Sequence, residues 1–508
     1  MSENRQGKDL RFIVIGAGMA GVLAAIKLKE AGYSQITVYE KGESVGGTWR
    51  ENQYPGLTCD LAAHAYTYTF ERNPDWSQLF APGPEIHQYF IRVAEKYGIM
   101  PLIRFNEEVS ECRYDGGKWH VKTKNGIEDW ADFVIAATGV LHHPFTPEIE
   151  GMDTFEGAMF HSTRWDHSVP LEGKRVAVIG TGSTGIQIVA ALQPVADKVY
   201  QVQRTAQWVR YIPFHKYTEE DKQRFRDHPE LMEELAEQWA FGETAQTFMR
   251  GLADANSNEM HKIEDLCRED LETRIQDPEL REMLRPRYRA ACKRLVMSWD
   301  YFDAVQQPNV EVITDQIERF EKNGIRFASG KFIEVDVIGL ATGFDVSRFI
   351  RPTKVTGLNG YDLEEFWSPD AKAYGAMTMP RFPNLFFLNG PNGPVGNFSL
   401  IDIAEKQMRY VMQVIDLLKS GVCKAVQVSQ EAFDDFDRRR KDAARNTIWA
   451  TGCKSWYLDS EGLPHIWTLS IDELVKMTSK PDWGHYEFLD EDGNQLLIDP
   501  AKLESANA

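Results

Sequence analysis

Two glycine-rich turns are the part of this sequence whose residue types and spacing predict chemistry most directly. In the first turn, Gly16, Gly18 and Gly21 follow the apolar residues FIVI and open an amphipathic run. The first glycine of such a turn permits a sharp strand-to-helix connection, the second lets the backbone approach a pyrophosphate, and the third lets helix and strand pack closely. Free N–H groups at the helix N-terminus attract phosphate oxygens. The segment therefore predicts a dinucleotide site.

Glu40 ends the next apolar strand, 24 residues after Gly16. A carboxylate at that place accepts hydrogen bonds from ribose hydroxyls and suits a ribose without phosphate, so the site fits FAD or NAD. Glycine turns often only permit packing. Here the strand, the helix, the second strand and the acid stand in register, which favours a binding site.

The same pattern recurs 164 residues later, at Gly180, Gly182 and Gly185. Arg204, followed by Thr205, stands where the first copy carries its glutamate. A guanidinium and a hydroxyl bind the ribose 2′-phosphate that a carboxylate would repel, so the second site fits NADP. A surface arginine is the alternative, and the register argues against it. One flavin site and one NADPH site predict an oxidoreductase in which hydride passes from nicotinamide to flavin.

Each glycine turn lies between an apolar strand and a helix, with a second strand after the helix. This pattern predicts an α/β fold with two Rossmann-like dinucleotide-binding domains. A discontinuous FAD domain is predicted over residues 1–150 and 344–508, with the NADPH domain over 151–343 between its parts. From about 215 to 290 the sequence is charged and loses strand alternation, which indicates a helical insertion able to line a substrate entrance. The C-terminal run HYEFLDEDGNQLLID predicts a hairpin at its Asp-Gly pair.

Residues 155–166 read FEGAMFHSTRWD. This segment resembles the FxGxxxHxxxW motif, followed by Pro or Asp, of the type I Baeyer-Villiger monooxygenases within the class B flavoprotein monooxygenases, and the resemblance covers nearly the whole chain. Related N- and S-oxygenating enzymes usually have Tyr or Phe where this chain has Trp165. The segment precedes the second turn and is predicted to be an interdomain linker. Phe155, Gly157, His161 and Trp165 are assigned to domain closure, with a packed linker turn as the alternative.

Two further segments carry the resemblance into the predicted active site. GGTWRENQYPGLTCD, residues 46–60, is similar to the family pattern near the isoalloxazine, where Asp60 would support a catalytic arginine. The CKR triplet at 292–294 would supply that arginine as Arg294, with Lys293 helping to bind the 2′-phosphate. Without the resemblance, a basic pair in a charged helical region reads as a solvated surface. Arg294 and Asp60 are thus the predicted catalytic residues.

Two C-terminal segments and two strand ends complete the resemblance. RFPNLFFLNGPN is similar to the strand that returns to the flavin and would bring Asn397 and Phe398 near it. Residues 452–457, GCKSWY, resemble a segment placed over the cofactors in part of the family, with an aromatic core strand as the alternative. The Ala-Thr-Gly triplets at 137–139 and 341–343 each end a buried strand, at the family's chain crossings.

The motifs and the resemblance together assign these residues to cofactor binding: Gly16, Gly18, Met19, Ala20, Gly21, Glu40, Lys41, Gly47, Thr48, Trp49, Asp60, Tyr66, Val109, Gly180, Thr181, Gly182, Ser183, Thr184, Gly185, Arg204, Thr205, Lys293, Ala341, Thr342, Gly343 and Asn397.

The resemblance implies an enzyme that uses FAD, NADPH and O2 as cosubstrate, forms a C4a-peroxyflavin, and inserts oxygen beside a ketone carbonyl to give an ester or lactone. Oxygenation of N or S in amines or sulfides is the nearest alternative. A non-catalytic or sensory flavoprotein is another. A flavin disulfide reductase needs a cysteine pair beside the flavin, and residues 46–60 contain one cysteine, Cys59.

The charge and residue composition of the chain limit the kinds of partner it can bind. Lys and Arg total 57 against 76 Asp and Glu, a net charge of −19 that repels nucleic acid and anionic membranes, so bound phosphates need local cations. The longest uncharged stretch near the N-terminus is too short to span a bilayer. No metal-ligand cluster is present. Six cysteines without a CxxC pair predict free thiols in a reducing cytoplasm. The expected partner is a small ketone, with a monomer or a dimer both left open.

Overall fold

The computed structural model of the chain describes residues 10–394 and 398–504. Its strands are β1 (Phe12–Ile15), β2 (Ile36–Tyr39), β3 (Ile103–Arg104), β4 (Val109–Asp115), β5 (Lys118–Thr123), β6 (Glu128–Ala131), β7 (Phe133–Ala136), β8 (Ala158–His161), β9 (Arg175–Ile179), β10 (Lys198–Val202), β11 (Val209–Tyr211), β12 (Val296–Ser298), β13 (Val310–Ile313), β14 (Ile317–Glu321), β15 (Gly324–Phe327), β16 (Phe332–Glu334), β17 (Val337–Leu340), β18 (Lys354–Thr356), β19 (Leu385–Phe387), β20 (Ala425–Val428), β21 (Tyr486–Leu489) and β22 (Gln495–Leu496).

Its α-helices are α1 (Met19–Glu30), α2 (Thr48–Glu51), α3 (Gly83–Lys96), α4 (Ser183–Leu192), α5 (Glu219–Asp227), α6 (Glu230–Phe241), α7 (Glu243–Ala253), α8 (Asn258–Arg274), α9 (Pro278–Met283), α10 (Tyr301–Ala304), α11 (Leu363–Phe366), α12 (Leu400–Lys419), α13 (Gln430–Ala444), α14 (Ile471–Ser479) and α15 (Pro500–Glu504).

The first glycine turn follows the central strand of a five-stranded parallel sheet, ordered β19-β7-β1-β2-β3. Strands β1 and β7 are buried at every position, as apolar strands covered on both faces must be. Apolar residues of α1, α3 and α12 pack with side chains of this sheet in one core. The fifth strand, β19, comes from the C-terminal third of the chain, so the sheet is assembled from distant segments.

The second glycine turn follows the central strand of another five-stranded parallel sheet, ordered β13-β10-β9-β17-β8. Central strands β1 and β9 each lie between a strand that follows soon after and one that arrives from far along the chain. The two units therefore share one strand arrangement. The predicted α/β class with two Rossmann-like units is confirmed.

The middle of the 155–166 segment, which the sequence predicts to be an interdomain linker, is a strand. Residues Ala158–His161 form β8 and pair in parallel with β17, at the edge of the second sheet. Without β8, the buried strand β17 would present an unpaired edge, which sheets avoid. The segment thus belongs to the second sheet instead of forming a free connection.

The stretch without strand alternation folds as consecutive helices, α5 to α9. Helix α5 begins with a capping box in which Thr218 accepts from the backbone of Asp221 and the Asp221 carboxylate accepts from that of Thr218. Ser257 caps α8 through its hydroxyl. One helix face is buried, as Met260, Ile263 and other residues of α8 show.

Smaller sheets surround the two units. Strands β18, β4, β5 and β6 form a four-stranded sheet, and β14, β15 and β16 an antiparallel one. Strands β21 and β22 pair in antiparallel fashion around the Asp-Gly turn, as the sequence predicts. Among the helices of the described residues, none combines the length and apolarity needed to cross a bilayer.

Candidate active site

Both glycine turns open onto one cavity of about 1860 Å³. Gly16 and Gly18 line one part of it, and Gly180 and Gly182 line another. Pockets for one small ligand usually measure about 300–1,000 Å³. The cavity therefore has room for more than one ligand, and the two units share it.

The backbone of the first turn leaves no room for a side chain at Gly16 or Gly21. Gly16 has φ +101°, and a Cβ atom there would lie 2.6 Å from the carbonyl oxygen of Ala137. A Cβ on Gly21 would lie 1.8 Å from the carbonyl oxygen of Gly16. Gly18 is the N-cap of α1 and offers no side-chain cap, so the first N–H groups of the helix remain for a ligand. The turn fits a pyrophosphate.

Glu40 is buried at the end of β2, with 4% exposure, and is held on three sides. Its Oε2 accepts from the N–H of Ala17 at 2.7 Å, and its Oε1 accepts from the N–H of Gly42 at 2.7 Å. Arg50 Nη1 donates to Oε1 at 2.9 Å. Both residues of this ion pair are under 10% exposed. Glu40 is thus fixed beside the turn by groups of the protein itself, and it lines the cavity.

The second turn repeats this geometry. Gly180 has φ +126°, and a Cβ atom there would lie 2.2 Å from the carbonyl oxygen of Ala341. Gly182 begins α4 without a side-chain cap. The Ser183 hydroxyl, in the first turn of α4, is buried, lines the cavity and has no hydrogen-bond partner among the described residues. An uncapped helix with an unsatisfied hydroxyl fits a phosphate group.

Arg204 and Lys293 lie at the second unit without carboxylate partners. In the part of the chain that the structure describes, neither makes an ion pair, and both line the cavity. Burial and the nearby positive charge of Arg204 lower the pKa of Lys293. The Lys293 ammonium lies 4.8 Å from the ring centroid of Tyr288. Two unneutralised cations beside Thr205 suit a dianion such as a 2′-phosphate.

Asp60 and Arg294, which are 234 residues apart, meet in the same cavity. Arg294 Nη2 donates to both carboxylate oxygens of Asp60 at 2.7 Å, and Nε donates to Oδ2 at 3.2 Å. The Asp60 charge raises the pKa of Arg294, although burial opposes it. Gln207 Nε2 donates to the Arg294 carbonyl at 2.7 Å and anchors its backbone. Arg294 is therefore a fixed cation, with 32% of its side chain exposed.

Aromatic residues of the 46–60 segment connect the two units. Trp49 Nε1 donates to the Tyr66 hydroxyl at 3.2 Å, with the rings edge to face. The Tyr54 hydroxyl donates to Gln187 of α4 at 2.8 Å. Burial raises the pKa of the neighbouring Cys59 thiol to about 12, so this thiol stays protonated at neutral pH. The segment provides flat apolar surface and a contact between the units, without thiolate chemistry.

Most residues predicted for cofactor binding line this cavity. Gly21 and Gly185 do not line it and instead pack behind their turns. Asn397 lies outside the described residues, while its neighbour Phe398 lines the cavity. The residues that do line it are Gly16, Gly18, Met19, Ala20, Glu40, Lys41, Gly47, Thr48, Trp49, Asp60, Tyr66, Val109, Gly180, Thr181, Gly182, Ser183, Thr184, Arg204, Thr205, Lys293, Ala341, Thr342 and Gly343.

The residues assigned to domain closure lie outside the cavity. Trp165 is 7% exposed and packs edge-on against Phe160 at 4.6 Å. His161 Nε2 lies 3.0 Å from the carbonyl oxygen of Gly343, at the end of the second Ala-Thr-Gly triplet. Burial lowers the pKa of His161, which favours a neutral ring. Of the residues assigned to domain closure, His161 contacts the cavity lining indirectly, through the backbone carbonyl of Gly343.

Sequence reasoning missed two features of the site. Arg50, the buried partner of Glu40, stands within the GGTWR motif, but sequence reasoning assigned it no role. The second feature is a disulfide between Cys292 and Cys453, so the prediction of free thiols is wrong for this pair. A separation of 161 residues hides such a pairing from any spacing rule. The other four cysteines are free and buried, as predicted for thiols.

Two dinucleotide-binding units that share one cavity define a two-nucleotide oxidoreductase. In agreement, residues 13–218 match the family model described as pyridine nucleotide-disulphide oxidoreductase. The chain is 44% identical, over 463 residues, to an uncharacterized monooxygenase of Mycobacterium tuberculosis, covering 91% of this chain and 92% of that protein. It is 37% identical to a Baeyer-Villiger monooxygenase of Pseudomonas aeruginosa, covering 89% and 86%.

Solved structures agree with these relatives. Cyclohexanone monooxygenase from Rhodococcus bound to NADP+ superposes with a TM-score of 0.85 at 26% identity, covering 95% of this chain and 99% of that one. The OTEMO complex with FAD and NADP gives a TM-score of 0.84 at 25% identity, covering 95% and 100%. The chain belongs to the family of flavin-dependent monooxygenases that contains the Baeyer-Villiger monooxygenases. The predicted resemblance is confirmed.

Proposed function

We propose that this chain is an NADPH- and O2-dependent Baeyer-Villiger monooxygenase, which converts a ketone into an ester or lactone. The observation that carries the proposal is the Asp60–Arg294 ion pair, which lies in the cavity that both dinucleotide-binding units share. A cation held in this way can stabilise an anion that develops during the reaction. Such preorganised charge is usually the largest single contribution to catalysis.

The first unit is proposed to hold FAD and the second NADPH. Glu40 suits the unphosphorylated ribose of FAD, while Arg204, Thr205 and Lys293 suit the 2′-phosphate of NADPH. When bound, this pair of cofactors supplies hydride transfer and the activation of O2. The family relatives named as FAD-binding monooxygenases support the assignment.

Arg294 is proposed to stabilise the negative charge that develops on the ketone oxygen during oxygen insertion. Its bonds to Asp60 use Nε and Nη2 and do not use Nη1. Asp60 then acts as a positioning residue, because a bidentate carboxylate fixes the guanidinium plane. Burial raises the pKa of Tyr457, which keeps a neutral phenol beside this pair.

A ketone is the proposed substrate. Apolar side chains from separate elements also line the cavity, among them Trp239 of α6, Phe248 of α7, Met297 of β12, Phe398 and Ile466. Such a lining binds hydrocarbon by the hydrophobic effect and excludes water from the reacting groups. Helices α6 to α8 would then shape the substrate end.

The two-domain division and the closure role of the 155–166 segment are proposed on the same basis. The first sheet takes its strands from residues 12–136 and 385–387, and the second from 158–340. His161 contacts the Gly343 carbonyl where the chain leaves the second sheet, so a change there can reach both units. A cytoplasmic location stays a prediction.

A matched substrate panel tests the proposed function. The FAD-loaded enzyme is given NADPH and air with cyclohexanone, an aryl methyl ketone, a steroid ketone, an aryl methyl sulfide or a tertiary amine. We expect an ester or lactone from at least one ketone, in a near one-to-one ratio to the NADPH consumed. Sulfoxide or N-oxide formation without any ester would favour the heteroatom alternative. A flavin absorbance spectrum that does not change when NADPH is added, together with no product from any substrate, would favour a non-catalytic flavoprotein.

A further inference from the structure

The disulfide between Cys292 and Cys453 joins the two segments that flank the catalytic end of the cavity. The Cα atoms lie 6.2 Å apart, and the residues are separated by 161 positions. Cys292 is fully buried and Cys453 is 7% exposed. Cys292 lies in the predicted NADPH domain and Cys453 in the predicted FAD domain, so the bond is a covalent tie between the two.

The Cys292 side of this tie is firmly anchored. Arg289 donates through Nε and Nη2 to Glu264 of α8 at 2.7 and 3.0 Å. Trp208 Nε1 donates to the Tyr288 carbonyl at 2.7 Å. Two residues after Cys292, Arg294 is held by its ion pair with Asp60. Residues 288–294 are therefore held in place by side-chain bonds to α8, Trp208 and Asp60.

The Cys453 side is held much less. Lys454, Ser455 and Trp456 line the cavity. The backbone N–H groups of residues 452–456 donate no hydrogen bond to any residue that the structure describes. Trp456 is 40% exposed and contacts Tyr457, with the ring centroids 4.1 Å apart. Within the described part of the chain, Ser455 accepts only from its own neighbours, through its carbonyl from the N–H of Leu458 and through its hydroxyl from the N–H of Tyr457, both at 3.2 Å. Backbone pairing with a more distant residue begins at Tyr457, whose carbonyl accepts from the N–H of His465 at 2.8 Å.

A segment whose backbone makes no hydrogen bond to a distant part of the protein keeps its place through side-chain packing or covalent attachment, because its conformational entropy otherwise favours many arrangements. Cys453 provides that attachment within residues 452–456, through its bond to the segment that carries Arg294. Neither sulfur-bearing residue lines the cavity, so the bond is shielded from the cofactors and serves as a tether and not as a redox relay.

We propose that Cys292 and Cys453 are positioning residues whose disulfide holds Lys454–Trp456 over the active site, so that reduction of this bond uncouples NADPH oxidation from product formation. The inference rests on the proposed function. Reduction by a dithiol breaks the S–S bond, leaves a thiol on each cysteine, and oxidises the dithiol to its cyclic disulfide, with two electrons and two protons transferred. The freed segment then no longer closes the cavity against water.

The first measurement is independent of activity. The FAD-loaded enzyme is denatured without reductant, alkylated, digested and analysed by mass spectrometry. We expect four alkylated cysteines and one linked peptide pair containing Cys292 and Cys453. Six alkylated cysteines in the freshly purified enzyme would overturn the proposal.

The second measurement follows the segment itself. Trypsin cleaves after Lys454, and the appearance of that cut in the native holoenzyme is compared before and after treatment with dithiothreitol. Reduction should speed this cut by about threefold or more, because proteolysis follows the opened population. Cys453→Ser should be cut fast in both conditions. Cys267→Ser removes a buried free thiol from the same apolar cluster and should behave like the wild type.

The third measurement ties the bond to catalysis. In the wild type and Cys267→Ser, dithiothreitol treatment followed by gel filtration should lower the product formed per NADPH by about two- to fivefold, with hydrogen peroxide making up the difference. Cys453→Ser should already show the low ratio and should not respond to dithiothreitol. An unchanged ratio in reduced wild type would overturn the proposal, and this arm needs no variant to fold. If no ketone gives product, the proposed function is wrong. The number of alkylated cysteines and the rate of cleavage after Lys454 still show whether the disulfide holds the segment.

Discussion

The two glycine-rich units share a fold and differ in how they treat charge. In the first, Glu40 is buried and bonded to Ala17, Gly42 and Arg50 of the protein itself. In the second, Arg204 is exposed and has no ion-pair partner among the described residues. The equivalent places thus hold a neutralised acid in one unit and a free cation in the other.

This difference suggests two kinds of binding. A carboxylate that is already part of the folded interior favours a cofactor that becomes part of the structure. An unneutralised cation at an open edge favours a ligand that arrives, donates hydride and leaves, since its attraction acts before contact. The same contrast explains how a chain of net charge −19 can bind two anionic dinucleotides. Helix N-termini and a few placed cations act locally against the overall field.

The largest expected effect lies where the two units meet. Arg294→Ala should lower ester formation by about 100- to 1,000-fold, the range for loss of one preorganised group at a developing anion. Anaerobic reduction of the flavin by NADPH should proceed at the wild-type rate, because hydride transfer does not need this cation. Stopped-flow absorbance and product analysis measure the two steps separately.

Arg294→Lys is the conservative control. A lysine keeps the charge but cannot form the bidentate contact with Asp60, so an intermediate rate of ester formation is expected. Ester formation at the wild-type rate in Arg294→Ala would remove Arg294 from the proposed chemistry.

The next effect separates the second unit from the first. Arg204→Gln should raise the KM for NADPH by about ten- to a hundredfold, since a charge-assisted hydrogen bond contributes about 1.5–3 kcal/mol. The KM for NADH and the FAD content should not change, because neither involves a 2′-phosphate. Steady-state kinetics with both nucleotides measures this. An equal rise for NADH would show that Arg204 supports the fold and does not select the phosphate.

The reciprocal change belongs to the first unit. Glu40→Gln weakens the buried pair with Arg50 and should lower FAD retention and the free energy of unfolding by about 1–3 kcal/mol. The KM for NADPH should stay the same. The ratio of flavin to protein after gel filtration and a thermal melt measure both effects. Glu43→Gln, at a nearby exposed position, is the matched control and should retain full flavin.

The smallest effect is a pH dependence. Because burial and Arg204 lower the pKa of Lys293, its ammonium loses the proton at a lower pH than an ordinary lysine. The 2′-phosphate then loses one partner, so the KM for NADPH should rise by about two- to fivefold towards alkaline pH, the range for a partly exposed ion pair. Lys293→Arg, which stays charged, should flatten that rise. The same rise in Lys293→Arg would assign it to another group.

The local parts of this molecule could be predicted from sequence, and the long-range pairings could not. Glycine spacing after an apolar strand reflects steric limits within a few residues, as Gly16 and Gly180 show. The ion pair of Asp60 and Arg294 came from family resemblance, since its partners are far apart in sequence. No signal joined Cys292 to Cys453, because neither spacing nor composition encodes which distant segments pack together.

The predicted linker shows the same limit. Nothing in the sequence of Ala158–His161 indicates that these residues form the edge strand of a sheet. The strand they pair with, β17, lies more than 170 residues further along the chain. A short apolar run fits a strand or a packed connection equally well. The choice depends on which sheet edge remains unpaired once the chain has folded.

Isotope labelling tests the proposed insertion of oxygen from O2 into a ketone. The FAD-loaded enzyme is given NADPH and its best ketone under 18O2 in unlabelled water, and the product is analysed by mass spectrometry. We expect one 18O atom in the ester linkage, an unlabelled carbonyl oxygen, and one NADPH consumed for each ester formed. An unlabelled product, or NADPH consumption that ends entirely in hydrogen peroxide, would contradict it.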